Sequence, residues 1–223
     1  MSVPKNLVIA IDGPAGAGKS TIAKRIAREL GLRYLDTGAM YRAIALKAFR
    51  HGIATKNGSA IADLVPSTDI AFGEGDPQPV LLDGVDVTAE IRTLQMGEMA
   101  SAVSVHPEVR RGLVAMQQRM VDSGGVVLEG RDTTTVIAPN AQVKIYMTAS
   151  LEERANRRTK ELEQKGMTSS FENVRAQISS RDHRDITRED SPLKVHPEAH
   201  LIETGTLSID EVIERVRSLI PSE

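Results

Sequence analysis

Short apolar runs alternate with amphipathic stretches along most of the chain. Leu7–Ile11 is a continuous apolar run, which is the pattern of a strand buried on both faces. Apolar residues at three- and four-residue steps then predict a helix over about 19–30, and Gly31 ends it. A brief strand near Arg33–Leu35 and a helix over about 40–51 follow. Strands separated by helices at this spacing predict a parallel sheet covered by helices on both faces.

The same alternation resumes in the second half of the chain. A helix that begins near Pro107 and ends at Gly124-Gly125 precedes two candidate buried strands, Val126–Leu128 and Val143–Met147. The remaining predicted elements are a helix begun by a Ser150/Glu153 capping box and ending at Lys165, a helix over Phe171–Arg181, a strand at His200–Ile202 and a helix begun by a Ser208/Glu211 capping box.

The segment that separates these two regions has a different pattern. Asp69–Phe72, Val80–Leu82 and Val85–Val87 are short apolar stretches, and the Asp83-Gly84 pair before the last of them is a strong hairpin signal. A small antiparallel sheet inserted into an α/β core has this pattern. We therefore interpret residues 1–60 and 94–223 as the core and residues 61–93 as an insert.

Composition narrows the class of protein without identifying it. Of the 223 residues, 40% are hydrophobic and 26% are charged, which is ordinary for a globular protein. A formal net charge of −2 and an aromatic content of 3% argue against a nucleic-acid partner. The absence of cysteine excludes disulfides and thiolate metal sites. No apolar run is long enough to cross a bilayer, so we expect a cytoplasmic protein with no membrane partner.

One segment carries a complete phosphate-binding pattern. Gly13-Pro14-Ala15-Gly16-Ala17-Gly18-Lys19-Ser20 combines a glycine, four further residues, a glycine, a lysine and a serine, and lies after a predicted strand and before a predicted helix. The glycines let backbone amides point at phosphate oxygens, and the start of the next helix adds further amides. Lys19 is expected to reach the β- and γ-phosphates, and the Ser20 hydroxyl is expected to bind Mg²⁺. The pattern predicts a nucleoside triphosphate site without specifying the reaction.

The rest of the chain favours phosphoryl transfer over a nucleotide-dependent switch. A GTPase needs a guanine-reading Asn-Lys-x-Asp sequence, which is absent, and the length leaves no room for helicase or transporter machinery. Phosphoryl transfer needs two polyanions held in line, and arginine suits this task because its planar fork binds phosphate through two bonds. A switch or binding module without turnover remains the alternative from another class.

Two groups of candidate residues follow predicted strands, where an open parallel sheet places its ligands. Thr37 is expected to cap the next helix and Arg42 to lie on its first turn; an ordinary cap with a solvated arginine is the alternative. Arg131 and Asp132 follow the strand before them, and Glu129 is a candidate Mg²⁺ carboxylate. For this second group, the alternative is a surface turn with an internal ion pair.

Two charged helix surfaces are further candidates. Arg154 and Arg158 share a face at four-residue spacing beside Arg157, which fits either a lid over a triphosphate or a solvated basic face. Arg181–Arg188 is the densest charge cluster, and an exposed salt-bridged face is its alternative interpretation. Helical geometry places these of its side chains on one side: Arg181, Arg184, Asp185 and Arg188.

Several motifs taken in order resemble the bacterial cytidylate kinase family of pyrimidine metabolism. They are Ile11–Lys19, Leu35–Arg42, Gly130-Arg131-Asp132, Lys144–Ser150 and Arg181–Arg188. The resemblance extends from the first predicted strand to the last helix. It implies an α/β fold of the P-loop type, with three layers around a central parallel sheet, a small antiparallel nucleotide-binding insert at 61–93 and a short helical lid at about 151–168.

The resemblance also implies roles for individual residues. It implies ATP binding by the segment from Gly13 to Thr21, with Ser20 on Mg²⁺. The implied catalytic residues are Lys19, Arg131, Asp132 and Arg158. The implied CMP-binding residues are Thr37, Arg42, Ser101, Arg110, Arg131, Asp132, Arg181, Asp185 and Arg188. Within this set, the acceptor phosphate is assigned to Arg42 and Arg131, the base to Thr37, Arg110, Asp132 and Arg188, and the ribose to Asp185 with Ser101 and Arg181.

The chain departs from the family pattern directly after Asp132. Thr133 and Thr134 stand where members of the family usually carry an apolar residue and a glycine. If that glycine position requires a positive φ, a β-branched threonine is strained there. We expect the preference for CMP over dCMP or UMP to be the property most exposed to this change.

The expected reaction is MgATP + CMP → ADP + CDP, with dCMP as a further acceptor and direct in-line transfer. A phosphate acceptor is already ionised near neutral pH, so no general base is expected. We expect a monomer with a mobile acceptor lobe and a short lid, whose closure excludes water. The alternatives within the kinase class are other acceptors, such as UMP, AMP or a small metabolite like shikimate.

Overall fold

The computed structural model describes residues 3–164 and 166–221. Residue 165, where the helix begun by the Ser150/Glu153 box was predicted to end, lies outside this range. The strands are β1 (Val8–Asp12), β2 (Arg33–Asp36), β3 (Ile70–Phe72), β4 (Val80–Leu82), β5 (Val85–Asp86), β6 (Val126–Gly130), β7 (Val143–Thr148) and β8 (His200–Glu203). The α-helices are α1 (Lys19–Leu30), α2 (Thr37–Arg50), α3 (Gly58–Ala62), α4 (Leu94–Val103), α5 (Pro107–Val121), α6 (Leu151–Gln164), α7 (Phe171–Thr187) and α8 (Ile209–Ser218).

The described chain divides into two compact units. The first runs up to Tyr34 and again from Val121, and the second is Leu35–Met120. In the part of the chain that the structure describes, no helix has both the length and the apolar character that crossing a membrane requires.

A five-stranded sheet in the order β2-β6-β1-β7-β8 is the centre of the first unit. Strand β1 pairs in parallel with β6 and β7, and β7 pairs in parallel with β8, which confirms the predicted parallel sheet. The register sets Asp12 opposite Gly130 and Tyr146. The carboxyl ends of the three inner strands therefore meet at one edge of the sheet, where ligands bind in such folds.

The core of this unit packs helices against that sheet. The apolar stripe of α1, which includes Ile22 and Ile26, is buried with Ile9 and Ile11 of β1 and with Val216 of α8. The predicted Ser208/Glu211 capping box is present at the start of α8. Helices α6 and α7 form a second, smaller apolar cluster. Burying these side chains stabilises the folded state by about 25 cal/mol per Å² of apolar surface removed from water. The helices are thereby held against the sheet, and the loops at its edge are anchored to a rigid core.

The second unit contains the predicted antiparallel sheet. Strands β3, β4 and β5 pair in that order. Asp83 and Gly84, with φ of 50° and 80°, form the predicted hairpin turn. Lys47 of α2 binds the Asp83 carboxylate at 2.7 Å and the Ser67 carbonyl oxygen at 3.1 Å. The pairing with Lys47 lowers the pKa of Asp83, so the hairpin is tied to α2 by an ionic contact.

Candidate active site

The segment that joins β1 to α1 is a tight loop whose glycines are sterically required. A Cβ at Gly13 would lie 2.0 Å from the carbonyl oxygen of Met147. Gly16 has a φ of 77°, and a Cβ there would lie 3.2 Å from the Cβ of Arg154. Gly18, also in the left-handed region, immediately precedes the first turn of α1. The backbone geometry is thus the amide-lined turn that the sequence pattern predicts.

The side chain of Lys19 folds back onto the phosphate loop and is influenced by the charges of Arg131 and Arg181. Its side-chain Nζ donates a hydrogen bond of 2.8 Å to the carbonyl oxygen of Pro14, and the residue is 5% exposed. Burial and the nearby Arg131 lower the pKa of Lys19 to about 7, although Glu129 and Asp12 act in the opposite direction. A buried ammonium next to other cations is stabilised by an added anion.

Two helices hold Ala15 of the loop through both of its backbone polar groups. Arg154 of α6 donates to the carbonyl oxygen of Ala15 at 3.0 Å and to the carboxylate of Asp182 at 2.5 Å. Asp182 of α7 in turn accepts the N–H of Ala15 at 3.1 Å. The Ser150/Glu153 capping box predicted at the start of α6 is present. Because Arg154 and Asp182 are both buried, this contact fixes the loop from outside.

The three arginines of α6, of which Arg154 and Arg158 were predicted to share a face, have separate contacts. Arg154 binds the loop, whereas Arg157 donates to the side-chain and carbonyl oxygens of Thr204. Arg158 pairs with Glu161 at 2.9 Å on the exposed side of α6. Of the three, Arg158 makes its ion pair on the more exposed surface, where such a pair contributes little to stability.

The Ser20 hydroxyl at the start of α1 lies against the Glu129 carboxylate of β6, and both groups are of the oxygen type that binds hard cations. Ser20 donates to Glu129 at 2.5 Å, and the Tyr34 hydroxyl donates to the same carboxylate oxygen at 3.1 Å. Among residues 3–164 and 166–221 no group of three or more histidine or acidic side chains is suited to hold a metal ion. The donors fit Mg²⁺, which is commonly held by one or two protein oxygens together with phosphate oxygens.

Arg131 and Asp132 follow β6 and join a buried ionic network with the end of α7. Arg131 pairs with Asp185 at 2.8 Å, and Arg188 lies 3.5 Å from Asp132 and 3.8 Å from Asp185. Burial opposes ionisation of Asp185, but Arg131, Arg181 and Arg188 hold the pKa of that carboxyl below its ordinary value. These residues, predicted from separate motifs, are thus brought together with alternating charge.

The two threonines that depart from the family pattern form a π-helical turn over Thr133–Ile137 and bind Asp12. The amide and hydroxyl of Thr133 donate to Oδ1 of Asp12, both at 2.8 Å. The amide and hydroxyl of Thr134 donate to Oδ2, at 2.8 and 2.6 Å. Among the described non-glycine residues only Asp83 and Ser191 have positive φ, so the strain considered for Thr134 does not arise.

In the second unit, helix α2 begins earlier than predicted. The carboxylate of Asp36 accepts the N–H of Ala39 at 2.9 Å and caps the helix, so the prediction that Thr37 provides the cap is wrong. Thr37 is the first helical residue and is buried. Arg42 consequently lies on the second turn of α2, not on the first as predicted.

Two further predicted residues of this unit are buried. Arg110 is fully buried, its guanidinium carbon lies 5.4 Å from the centre of the Tyr41 ring, and it donates to the carbonyl oxygen of Ser104 at 3.4 Å. Ser101 is also buried. A buried guanidinium stacked on an aromatic ring is held in one orientation, which suits it to recognise a planar group.

Sequence reasoning assigned no role to Asp12, Asp182 or Tyr34. Asp182 lies three residues before Asp185 on the same helix, and this spacing signals a shared face. Asp12 is a carboxylate that ends a buried apolar strand, which signals an internal partner because an unpaired buried charge is costly. No pattern in the sequence marks the contact of Tyr34 with Glu129.

The parallel sheet, the glycine loop after its first strand and the arginines beside it define the fold class as that of the P-loop kinases. Solved structures share this fold at low sequence identity. An uncharacterized protein from Eubacterium ventriosum ATCC 27560 superposes with a TM-score of 0.53 and 11% identity, over 96% of this chain and 97% of the other. A gluconokinase from Sinorhizobium meliloti 1021 gives a TM-score of 0.50 and 11% identity, over 96% and 91%.

Sequence comparison identifies the family. The model of the family named cytidylate kinase matches residues 9–222. A cytidylate kinase from Desulfitobacterium hafniense (strain Y51) is 48% identical over 96% of this chain and 93% of its own length. A cytidylate kinase from Shouchella clausii (strain KSM-K16) is 44% identical over 97% and 96%. The chain belongs to the cytidylate kinase family and is a kinase, as the motifs indicated.

Proposed function

We propose that this chain transfers the γ-phosphoryl group of ATP to CMP, and also to dCMP, by a direct in-line step. The observation that carries the proposal is the pairing of β1 with β6. Asp12 and Gly130 are opposite each other in this pair, so the phosphate loop and Arg131 follow neighbouring strand ends. A donor loop and a phosphate-binding arginine at adjacent strand ends are the minimum that in-line transfer requires.

The donor is assigned to the phosphate loop. The backbone amides of residues 13–21 bind the phosphates of ATP, Lys19 contacts the β- and γ-phosphates, and Arg158 reaches the same groups from the lid at about 151–168. Ser20, with Glu129 beside it, holds Mg²⁺. When bound with the triphosphate, Mg²⁺ neutralises charge on its oxygens.

The acceptor is assigned to arginines and to polar residues that the sequence motifs mark. Arg42 and Arg131 bind the phosphate of CMP, and Arg131 takes part in the transfer because it neutralises charge on the moving group. Thr37, Arg110 and Asp132 recognise the base, Arg188 packs against it, and Asp185 with Ser101 and Arg181 holds the ribose. The proposal includes a nucleotide-binding insert at 61–93, a core at 1–60 and 94–223, and a monomeric enzyme.

The chemistry of the transfer needs no proton removal. An anionic oxygen of the acceptor phosphate forms a bond to the γ-phosphorus, the bond from that phosphorus to the β–γ bridging oxygen breaks, and ADP leaves with the oxygen as part of its β-phosphate. Lys19, Arg131 and Arg158, with Asp132 in the same catalytic set, therefore act by orientation and by charge.

The decisive experiment is a coupled ADP-release assay with CMP, dCMP, UMP, AMP and shikimate, each with ATP and Mg²⁺. CMP and dCMP are expected to be the best acceptors, because the proposal assigns Arg110 and Asp132 to hydrogen bonds with the cytosine edge. As a control for contaminating kinases, Lys19→Ala is expected to lower turnover roughly 100-fold. Equal rates with CMP and shikimate, or no ADP formation with CMP, would overturn the assignment.

A further inference from the structure

A single carboxylate joins the phosphate loop to the segment that carries Arg131. Asp12 is fully buried and directly precedes Gly13, the first residue of the loop. Each of its oxygens accepts one backbone amide and one hydroxyl, from Thr133 and Thr134 respectively. Four donors on two oxygens leave the carboxylate one orientation, because rotation about its Cβ–Cγ bond breaks all of them.

Half of this contact comes from side chains, because two of the four donors are hydroxyls. An apolar residue and a glycine at these two positions would offer only their amides. The hydroxyls of Thr133 and Thr134 add a second donor to each oxygen, and both threonines are fully buried. The extra bonds fix the χ1 angle of each threonine, which restricts the start of the turn.

The restriction extends to the residues before the turn. The carbonyl oxygen of Asp132 accepts the amides of Val136 at 2.9 Å and Ile137 at 3.2 Å. Asp132 is therefore held by the turn that follows it, and its carboxylate faces Arg188. Arg131, one residue earlier, has its own direction set by Asp185. A shift of Thr133 would displace Asp132 directly, and Arg131 through the chain.

We propose that Asp12, Thr133 and Thr134 form a positioning clasp that holds Arg131 and Asp132 in the geometry that binds the acceptor nucleotide. None of the three touches a substrate in this role. The hydroxyls act on how tightly the acceptor is bound, whereas the donor is bound by loop amides whose conformation the glycines and the Arg154–Asp182 pair set. The inference rests on the proposed function, since it concerns the acceptor of that reaction.

The electrostatics of the clasp agree with its geometry. Burial raises the pKa of Asp12, the side chain and amide of Thr134 lower it, and the nearby Asp132 raises it again. Lys19 also faces this carboxylate, which acts to raise the pKa of Lys19. Burial outweighs the hydrogen bonds, so the pKa of Asp12 is raised overall, and removing the Thr134 hydroxyl takes away a bond that stabilises the carboxylate form.

The test compares the full-length enzyme with Thr133→Val, Thr134→Val and the double variant. Valine keeps the shape of threonine and removes only the hydroxyl. The double variant is expected to raise the KM for CMP roughly tenfold, as for lost hydrogen bonds to a charged group, while the KM for ATP stays unchanged. Thr133→Ser and Thr134→Ser keep a donor and are expected to restore the acceptor KM.

Thr135→Val is the matched control in the same turn. The hydroxyl of Thr135 has no hydrogen-bond partner among the described residues, so its removal is expected to leave both KM values unchanged. The melting temperature of each variant shows whether a change in KM is accompanied by a loss of stability. A purely structural role predicts a lowered melting temperature with unchanged KM values, and that result would overturn the clasp.

Failure of this inference can be told apart from failure of the proposed function. If the wild-type enzyme phosphorylates CMP and the double valine variant has the wild-type KM for CMP, only the clasp is wrong. Equal increases in the KM for CMP and for ATP would also overturn it, since they indicate a general disturbance of the sheet edge. If the wild-type enzyme does not use CMP, the proposed function itself is wrong.

Discussion

The buried guanidinium of Arg154 pairs with the carboxylate of Asp182, and together they hold Ala15 of the phosphate loop through the two peptide groups on either side of it. Arg154 binds the carbonyl oxygen of Ala15 and Asp182 accepts its N–H. The loop therefore depends on α6 and α7 for its shape as well as on its own glycines. This dependence gives α6 a structural role that a sequence pattern of surface arginines does not reveal.

Arg154→Met is expected to destabilise the protein by about 3–5 kcal/mol, because it leaves Asp182 as an unpaired buried charge. Urea denaturation measures the loss. Arg175→Met is the matched control, since Arg175 pairs with Glu152 at 3.3 Å on an exposed surface and its loss is expected to cost less than about 1 kcal/mol. Equal stability of the Arg154→Met variant and the wild type would contradict the role of the pair.

Gly16→Ala and Gly31→Ala separate backbone strain from steric contact. Both glycines have positive φ, so alanine costs roughly 1–2 kcal/mol of conformational energy at either position. Nothing lies within 4 Å of a Cβ at Gly31, whereas a Cβ at Gly16 meets Arg154. Gly16→Ala is therefore expected to weaken ATP binding roughly 10- to 100-fold, and Gly31→Ala to leave it unchanged. Equal ATP affinities, measured by calorimetry, would show that the contact with Arg154 does not shape the loop.

Arg131→Ala is expected to impair use of the acceptor. The arginine is assigned to the phosphate of CMP, so its loss should lower kcat/KM for CMP roughly 100-fold or more while the KM for ATP changes little. Steady-state kinetics with each substrate varied in turn make the measurement, and Arg175→Ala serves as a surface control. A loss confined to ATP would reassign Arg131 to the donor.

Glu129→Gln tests the cation site. The change keeps the size of the side chain but removes the charge next to Ser20, so the Mg²⁺ concentration for half-maximal activity is expected to rise roughly 10-fold or more. Tyr34→Phe removes a neutral donor to the same oxygen and is expected to have a smaller effect. An unchanged Mg²⁺ dependence in the Glu129→Gln variant would exclude this carboxylate from the site.

Most elements of the core were predictable because their signals are local, whereas helix α4 (Leu94–Val103) was not predicted. Alternating apolar runs, Gly31 and the capping residues mark helices and strands without reference to the rest of the chain. The first residue of α2 was missed because two polar residues compete to cap it, and Asp36 accepts the amide in place of Thr37. The phosphate loop was predictable because its chemistry lies in one continuous segment.

Contacts made by distant residues were not predictable in this way. The Asp12 clasp joins positions about 120 residues apart, and the Arg154–Asp182 pair joins two helices. The sequence shows only that each residue is polar and lies within an otherwise apolar or mixed segment. Their partners depend on the sheet order, which brings β1 beside β6. No local sequence pattern predicts that order.

The lowered pKa of Lys19 predicts a pH dependence of stability. In the unfolded chain this lysine has its ordinary pKa of 10.5, and in the folded protein the pKa is about 7. The fold disfavours the ammonium form, so the contribution of Lys19 to stability is fully present above about pH 10.5. It is progressively lost as the pH falls toward 7, below which both states are protonated.

Lys19→Met, which keeps the aliphatic stem, is expected to lack this dependence. Between pH 9 and pH 7 the free energy of unfolding of the wild type is expected to fall by roughly 2 kcal/mol more than that of the variant. Urea denaturation at both pH values gives the difference, and comparing the two proteins cancels the titration of the other groups that they share. Lys24→Met provides a surface control, since Lys24 lies over the Tyr34 ring at 5.7 Å on a less buried part of α1. Parallel pH profiles for the wild type and Lys19→Met would mean that the ammonium is not destabilised by the fold, and the attraction of this site for a polyphosphate would then have to come from the loop amides alone.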